Sequence, residues 1–135
     1  MLEQRIKKNA DKLTKILAAI KLLDETELSH LYELHDLYVE AMRLTGELMS
    51  DALYMKDVAY MKRKQKQAEI MLSGDGTIAE REAQAEIAIK EYREAEAKGN
   101  YTYTRYKARY KSLDHKLYDI KAKRAAMEKE LMNTN

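Results

Sequence analysis

No proline interrupts the 135 residues of this chain, and two of its four glycines fall in one stretch, Ser73-Gly74-Asp75-Gly76. A chain so poor in helix breakers has little else to stop a helix once it starts. The break therefore leaves two long candidate helices, folded back on each other as a hairpin that turns at 73–76. Composition supports this reading. Charged residues make up 36 % and hydrophobic residues 45 %, with no Phe, Trp or Cys. Chains of this type with helical periodicity form long helices or coiled coils. Disorder is the competing outcome for so much charge, but regular Leu, Ile and Ala stripes argue against it.

Residues 1–23 carry Ile6, Leu13 and Ile20 at steps of seven, with Ile16 and Leu23 between them. This is a coiled-coil seam on an amphipathic helix. Its polar face is basic, with Lys7, Lys8, Lys12 and Lys15. Such a face can lie on a membrane surface, but it lacks the Trp and Phe anchors, and a bundle helix with a solvated lysine face is the favoured reading. Asp24 and Glu27 form a capping-box-like pair that starts the next helix. From there Leu34, Leu37, Ala41, Leu44, Leu48, Ala52, Met55 and Ala59 keep to one face. Gly74 and Gly76 suit the left-handed conformations of a C-cap and tight turn. Thr77 and Glu80 then match a capping box. The third stripe includes Ile78, Ala85, Ala88, Tyr92, Ala95, Gly99, Tyr106, Tyr110, Leu113, Leu117, Ile120, Met127 and Leu131, with Gly99-Asn100 as its weak point.

The expected fold is thus all-α. It is a long, antiparallel, coiled-coil-like hairpin of helices at about 26–72 and 77–132, with a shorter amphipathic helix at about 2–23. All of it belongs to one helical domain over 1–135.

Charge is segregated along the chain. Residues 24–61 hold nine acids and two bases, and residues 98–129 hold ten bases and three acids. A hairpin sets these segments side by side, which favours the antiparallel arrangement. The run Arg105-Tyr106-Lys107-Ala108-Arg109-Tyr110-Lys111 interleaves bases with aromatics, as single-strand nucleic-acid binders do. Glu33, Asp36, Glu40, Glu47 and Asp51 are positioned to answer much of that charge. Tyr106 and Tyr110 belong to the seam, which leaves Tyr101, Tyr103, Arg105 and Arg109 as the freer candidates. A second run, Lys62-Arg63-Lys64-Gln65-Lys66, precedes the turn. Glu80, Glu82 and Glu86 can offset part of it, but four bases within five residues point all round a helix, so some face solvent.

Nothing in the chain resembles a catalytic constellation, and no cofactor or metal is expected. Glu27-Leu28-Ser29-His30 matches the Glu-x-x-His of di-iron bundles, which require a second copy that this chain lacks. The glycines at 74 and 76 lack the lysine and the spacing of a phosphate loop. No apolar run approaches the ~18 residues of a membrane span. The opening Met1-Leu2-Glu3-Gln4 begins a charged helix rather than a secretory signal, which, with the lack of cysteine, fits a cytoplasmic protein.

Lys62-Arg63-Lys64-Gln65-Lys66 leading into Met71-Leu72-Ser73-Gly74-Asp75-Gly76 resembles the phage recombination mediator family of UvsY. The likeness covers roughly residues 50–125 and none of the first 23. It implies a largely helical protein that binds single-stranded DNA and assembles into rings. It also implies that the protein helps load a RecA-like recombinase onto DNA covered by a single-strand-binding protein. The family's DNA contact includes a Lys-x-Arg pair before the turn. The lysine falls at Lys66, Ala68 stands where the arginine would be, and Arg63 or Lys64 lies one turn earlier to substitute. The nucleic-acid-binding residues expected are Lys62, Arg63, Lys64, Lys66, Arg105, Arg109, Tyr101 and Tyr103. A two-helix arm beyond the reach of the N-terminal helix is marginal alone, so a homo-oligomer is expected as well. The alternative is a helical adaptor or inhibitor, phage-encoded or otherwise, that docks on a partner protein without binding nucleic acid.

Overall fold

The computed structural model describes residues 1–134. Four helices follow in order: α1 (Leu2–Lys21), α2 (Leu28–Ser73), α3 (Ile78–Ala88) and α4 (Lys90–Thr134), with no strand among the described residues. The long helices α2 and α4 pack on each other as an antiparallel hairpin, so the expected all-α fold holds. Helix ends fall within about two residues of the expected ones, apart from the third segment, which is divided in two at Ile89.

The turn forms where expected. Gly76 takes a positive φ of 96°, the only one among the described residues, and Thr77 accepts the Glu80 N–H at 3.2 Å. Gly74 does not adopt the left-handed conformation. Its N–H continues the helical pattern to Ile70 O at 2.8 Å, and a Cβ there would meet that carbonyl oxygen at 2.5 Å. Arg81 reaches back from α3 and donates to Met71 O at 3.4 Å, a cation at the carboxyl end of α2.

The other junction is built differently from the expected capping box. The Asp24 carboxylate accepts both the backbone N–H and the hydroxyl of Thr26, at 2.9 and 2.7 Å, closing a local turn rather than capping α2. Those two bonds hold the Asp24 carboxyl below its ordinary range, the backbone one most. His30 supplies the longer tie, its Nδ1 accepting the Asp24 N–H at 2.9 Å.

Gly99-Asn100 does not break α4. The irregularity lies at Ile89, where the backbone sits at φ −94°, ψ −1°. The bonds from Ile89 N–H to Ala85 O and from Arg93 N–H to Ile89 O both persist, at 3.0 Å. The helix is locally distorted there, not ended, and no residue type in the stretch explains it.

The chain divides into two compact units: Met1–Met49 with the chain from Arg105 onward, and Ser50–Thr104. The first is cored by leucine. Leu13 of α1, Leu31, Leu34, Tyr38, Ala41, Leu44 and Leu48 of α2, and Leu113, Leu117 and Ile120 of α4 are buried together. Asn9 is also buried, at a seam position between Ile6 and Leu13, and its Nδ2 donates to Glu47 Oε2 at 2.9 Å. A polar seam residue with one satisfied partner fixes the register of one helix on another. Arg43 joins the same cluster, donating to Glu47 at 2.7 Å and to Glu40 at 2.9 Å. The bonds from Arg43 hold the Glu40 carboxyl below its ordinary range, while burial pushes the Tyr38 phenol up.

The second unit buries mostly small residues: Ala52 and Ala59 of α2, Ala85 and Gly99, with Ile89 as the one large apolar side chain. Gly99 lies against α2 so closely that a Cβ would come within 3.0–3.2 Å of the Cβ, Cα and N of Lys56. Several residues expected in the seam are outside it. Met55 is 45 % exposed, and Ile78, Ala95, Tyr110 and Leu131 are also on the surface. Between the buried Ala52 and Ala59 it is Lys56, against Gly99, that faces α4 in place of Met55.

Candidate nucleic-acid interface

The run at 62–66 lies on one continuous helix in the second unit, so helical geometry decides where each base points. Successive residues turn by about 100°. Lys62 and Lys66, four apart, share one flank of α2, while Tyr60 and Lys64, also four apart, share the other. Arg63 falls between them and turns inward. It is half-buried, its side chain 16 % exposed, and its Nε donates to Glu96 Oε2 on α4 at 2.9 Å. The charge of Arg63, one of the expected DNA contacts, is thus answered inside the hairpin. The carboxylates that answer this run differ from those expected. Glu96 does so, whereas Glu86 pairs with Arg93 at 3.1 Å.

Lys62, Lys64 and Lys66 are exposed. Lys66 lies 3.9 Å from Glu69, a loose contact on the surface. Lys62 and Lys64 have no carboxylate partner among the described residues. The Lys64 ammonium instead stands 5.7 Å from the centre of the Tyr60 ring, and the Arg63 guanidinium 5.2 Å from it. These are cation–π distances. Tyr60, which sequence reasoning left off the candidate residues, is 44 % exposed. The signal that could have found it is the i, i+4 spacing to Lys64.

The stripe at 105–111 lies in the first unit, beginning at its boundary on α4. Arg105 and Tyr101 are exposed but each is already engaged in a contact of its own. Tyr103 is half-buried rather than free, and Arg109 is exposed. Tyr106 packs against the leucine core as expected, whereas Tyr110 lies over Gly46 with its ring partly in solvent. The expected answer from the acidic segment is partly redirected: Glu40 and Glu47 hold Arg43, and Asp36 lies 3.2 Å from His35. Further along α4, Lys123 meets Glu25 at 3.4 Å. Tyr32 donates to Glu128, with the Arg124 guanidinium 5.3 Å from its ring. The hydrogen bond to Glu128 raises the Tyr32 phenol above its ordinary value.

A further basic surface lies on α1, where Lys7, Lys8, Lys12 and Lys15 line a shallow depression with Gln4 and Asp11. It has no aromatic residue. No helix among the described residues is long and apolar enough to cross a membrane, and none of the His, Asp and Glu side chains described gather in threes as a metal site would need. No family model, curated protein or solved structure matches the chain, so the likeness to the UvsY family rests on the residues quoted above.

Proposed function

We propose that this protein is a non-enzymatic, self-associating, single-stranded-DNA-binding protein that assists the loading of a recombinase, the role implied by the likeness of residues 62–76 to UvsY. The observation that carries the proposal is the exposed Lys64 beside the half-exposed Tyr60, with Lys62 and Lys66 exposed on the other flank of α2. Single-strand binders combine phosphate-seeking bases with aromatic faces, and the arrangement is tolerant of sequence. Self-association is supported by the apolar side chains that the second unit leaves in solvent, Leu53, Tyr54, Met61, Leu72 and Ile87. Repetition of a modest basic group in an assembly raises its affinity by avidity.

Those same apolar residues favour a second reading, a helical adaptor that docks on a different protein. Fluorescence anisotropy with a labelled single-stranded oligonucleotide separates the two. Binding should weaken as salt rises, because each phosphate contact contributes a slope of about −0.7 in log K against log salt. Replacing Lys62, Lys64 and Lys66 with Ala should weaken binding at unchanged helicity. Absence of binding by the unaltered protein at about 50 mM salt overturns the DNA proposal. Light scattering after size exclusion tests self-association, and a monomer at micromolar concentration contradicts it.

A further inference from the structure

We infer that Tyr60 is a base-stacking platform, held in place by Arg63 and Glu96, and that the Tyr60–Lys64 flank of α2 makes the specific contact with unpaired bases. This rests on the single-strand reading above and sharpens it. Arg63 is half-buried and tied to Glu96 at 2.9 Å, so its guanidinium has a fixed place. That guanidinium stands 5.2 Å from the Tyr60 ring centre. The ring is thus restrained from the protein side, while 44 % of the residue stays open to solvent. A restrained aromatic ring loses little further freedom when a flat partner stacks on it. The occupant is indicated by what lies next to the ring. The Lys64 ammonium lies over the ring, 5.7 Å from its centre, and has no carboxylate partner among the described residues, so it can swing off the ring to a phosphate as a base takes its place. An aromatic face with an adjacent cation matches one nucleotide, base on ring and phosphate on ammonium. Bases in a duplex are already stacked and paired, so this contact favours single strands.

Lys62 and Lys66 stand on the opposite flank, about 160–200° around the helix from Lys64. They contribute general attraction to phosphate, not base contact. Glu96 acts through Arg63 as a positioning residue.

The test compares three probes on the full-length protein: a deoxythymidine oligonucleotide, an abasic deoxyribose-phosphate strand of equal length, and a duplex. The unaltered protein should prefer the thymidine strand over both others. Tyr60→Ala should weaken binding to the thymidine strand by about 5- to 150-fold, the range for losing one stacked base. It should leave binding to the abasic strand and the salt slope unchanged. Tyr60→Phe should bind as the unaltered protein does. Glu96→Gln should cause a smaller loss in the same probe, and the double variant with Tyr60→Ala should be no worse than Tyr60→Ala alone. An unchanged preference in Tyr60→Ala overturns the inference. So does a change in its assembly mass by light scattering, since Tyr60 would then sit between copies of the protein. If the unaltered protein binds none of the probes, the single-strand reading itself fails. If it binds thymidine and abasic strands equally, only the role of Tyr60 fails.

Discussion

Between Leu31 and Leu48, α2 buries leucines; between Ala52 and Ala59, the same helix buries alanines. The first stretch is part of a three-helix unit in which α1, α2 and α4 all contribute large side chains. The second belongs to a unit whose one large buried apolar residue is Ile89. A buried leucine side chain is worth ~1.5–3 kcal/mol in area removed from water, an alanine much less. What alanine and glycine offer instead is close approach of backbones, with dispersion spread over many small contacts. The second unit adds a half-buried ion pair, Arg63–Glu96, and leaves its larger apolar side chains in solvent. The contrast suggests a division of labour, with stability concentrated in the leucine unit and contact surface in the alanine unit.

The largest expected effect lies in the leucine core. Leu44→Ala or Ile120→Ala should cost about 2–5 kcal/mol in chemical denaturation, because each deletes fully buried volume. Ala52→Gly, in the other unit, should cost only about 1 kcal/mol, chiefly through helix propensity. Equal losses would erase the distinction between the two units.

The two glycines inside long helices sharpen the comparison, because they should respond with opposite sign. Gly99→Ala forces a methyl to within 3.0–3.2 Å of the Lys56 Cβ, Cα and N. Overpacking costs ~1–3 kcal/mol and helix propensity returns ~1, so a net loss of about 1 kcal/mol is expected in thermal melts followed by circular dichroism. Gly46→Ala meets only Tyr110 Cε2, at 3.9 Å, which is ordinary contact. It should gain about 1 kcal/mol. A stabilising Gly99→Ala would show that the alanine unit is not closely packed.

These positions also show where sequence reading succeeds and stops. The leucine stripe was legible because threes-and-fours spacing and large side chains coincide from Leu34 to Leu48 and again from Leu113 to Ile120. Spacing alone does not say which neighbour turns to the partner helix: between Ala52 and Ala59 it is Lys56, against Gly99, and Met55 lies outside. Ile89 escapes the pattern because the stripe runs through Ala88 to Tyr92, and Asn9 because a polar residue does not register in an apolar pattern. In the sequence Gly99 is a weak point of one helix; the reason for it is the close approach of another. The sequence shows that the basic run points all round its helix. Its meaning depends on which of its members turns inward, and that required the partner of Arg63, thirty-three residues away.

A smaller effect concerns pH in the leucine unit. Burial raises the Tyr38 phenol above its unfolded value near 10, so the folded state holds the proton more tightly. That contribution to stability is complete below pH ~10 and is lost as pH rises through the folded value. Unfolding midpoints of the unaltered protein should therefore fall more steeply above pH ~10 than those of Tyr38→Phe. Parallel profiles would mean that Tyr38 is no more buried than it is in the unfolded chain.

Amide hydrogen exchange with and without an oligothymidine strand tests the division of labour most directly. Without DNA, the slowest amides should lie in 31–48 and 113–120, with faster exchange through 50–104. With DNA, added protection should centre on residues 57–66, around Tyr60 and Lys64. The division fails if the slowest amides lie in 50–104, or if protection by DNA appears only at 105–111 or nowhere.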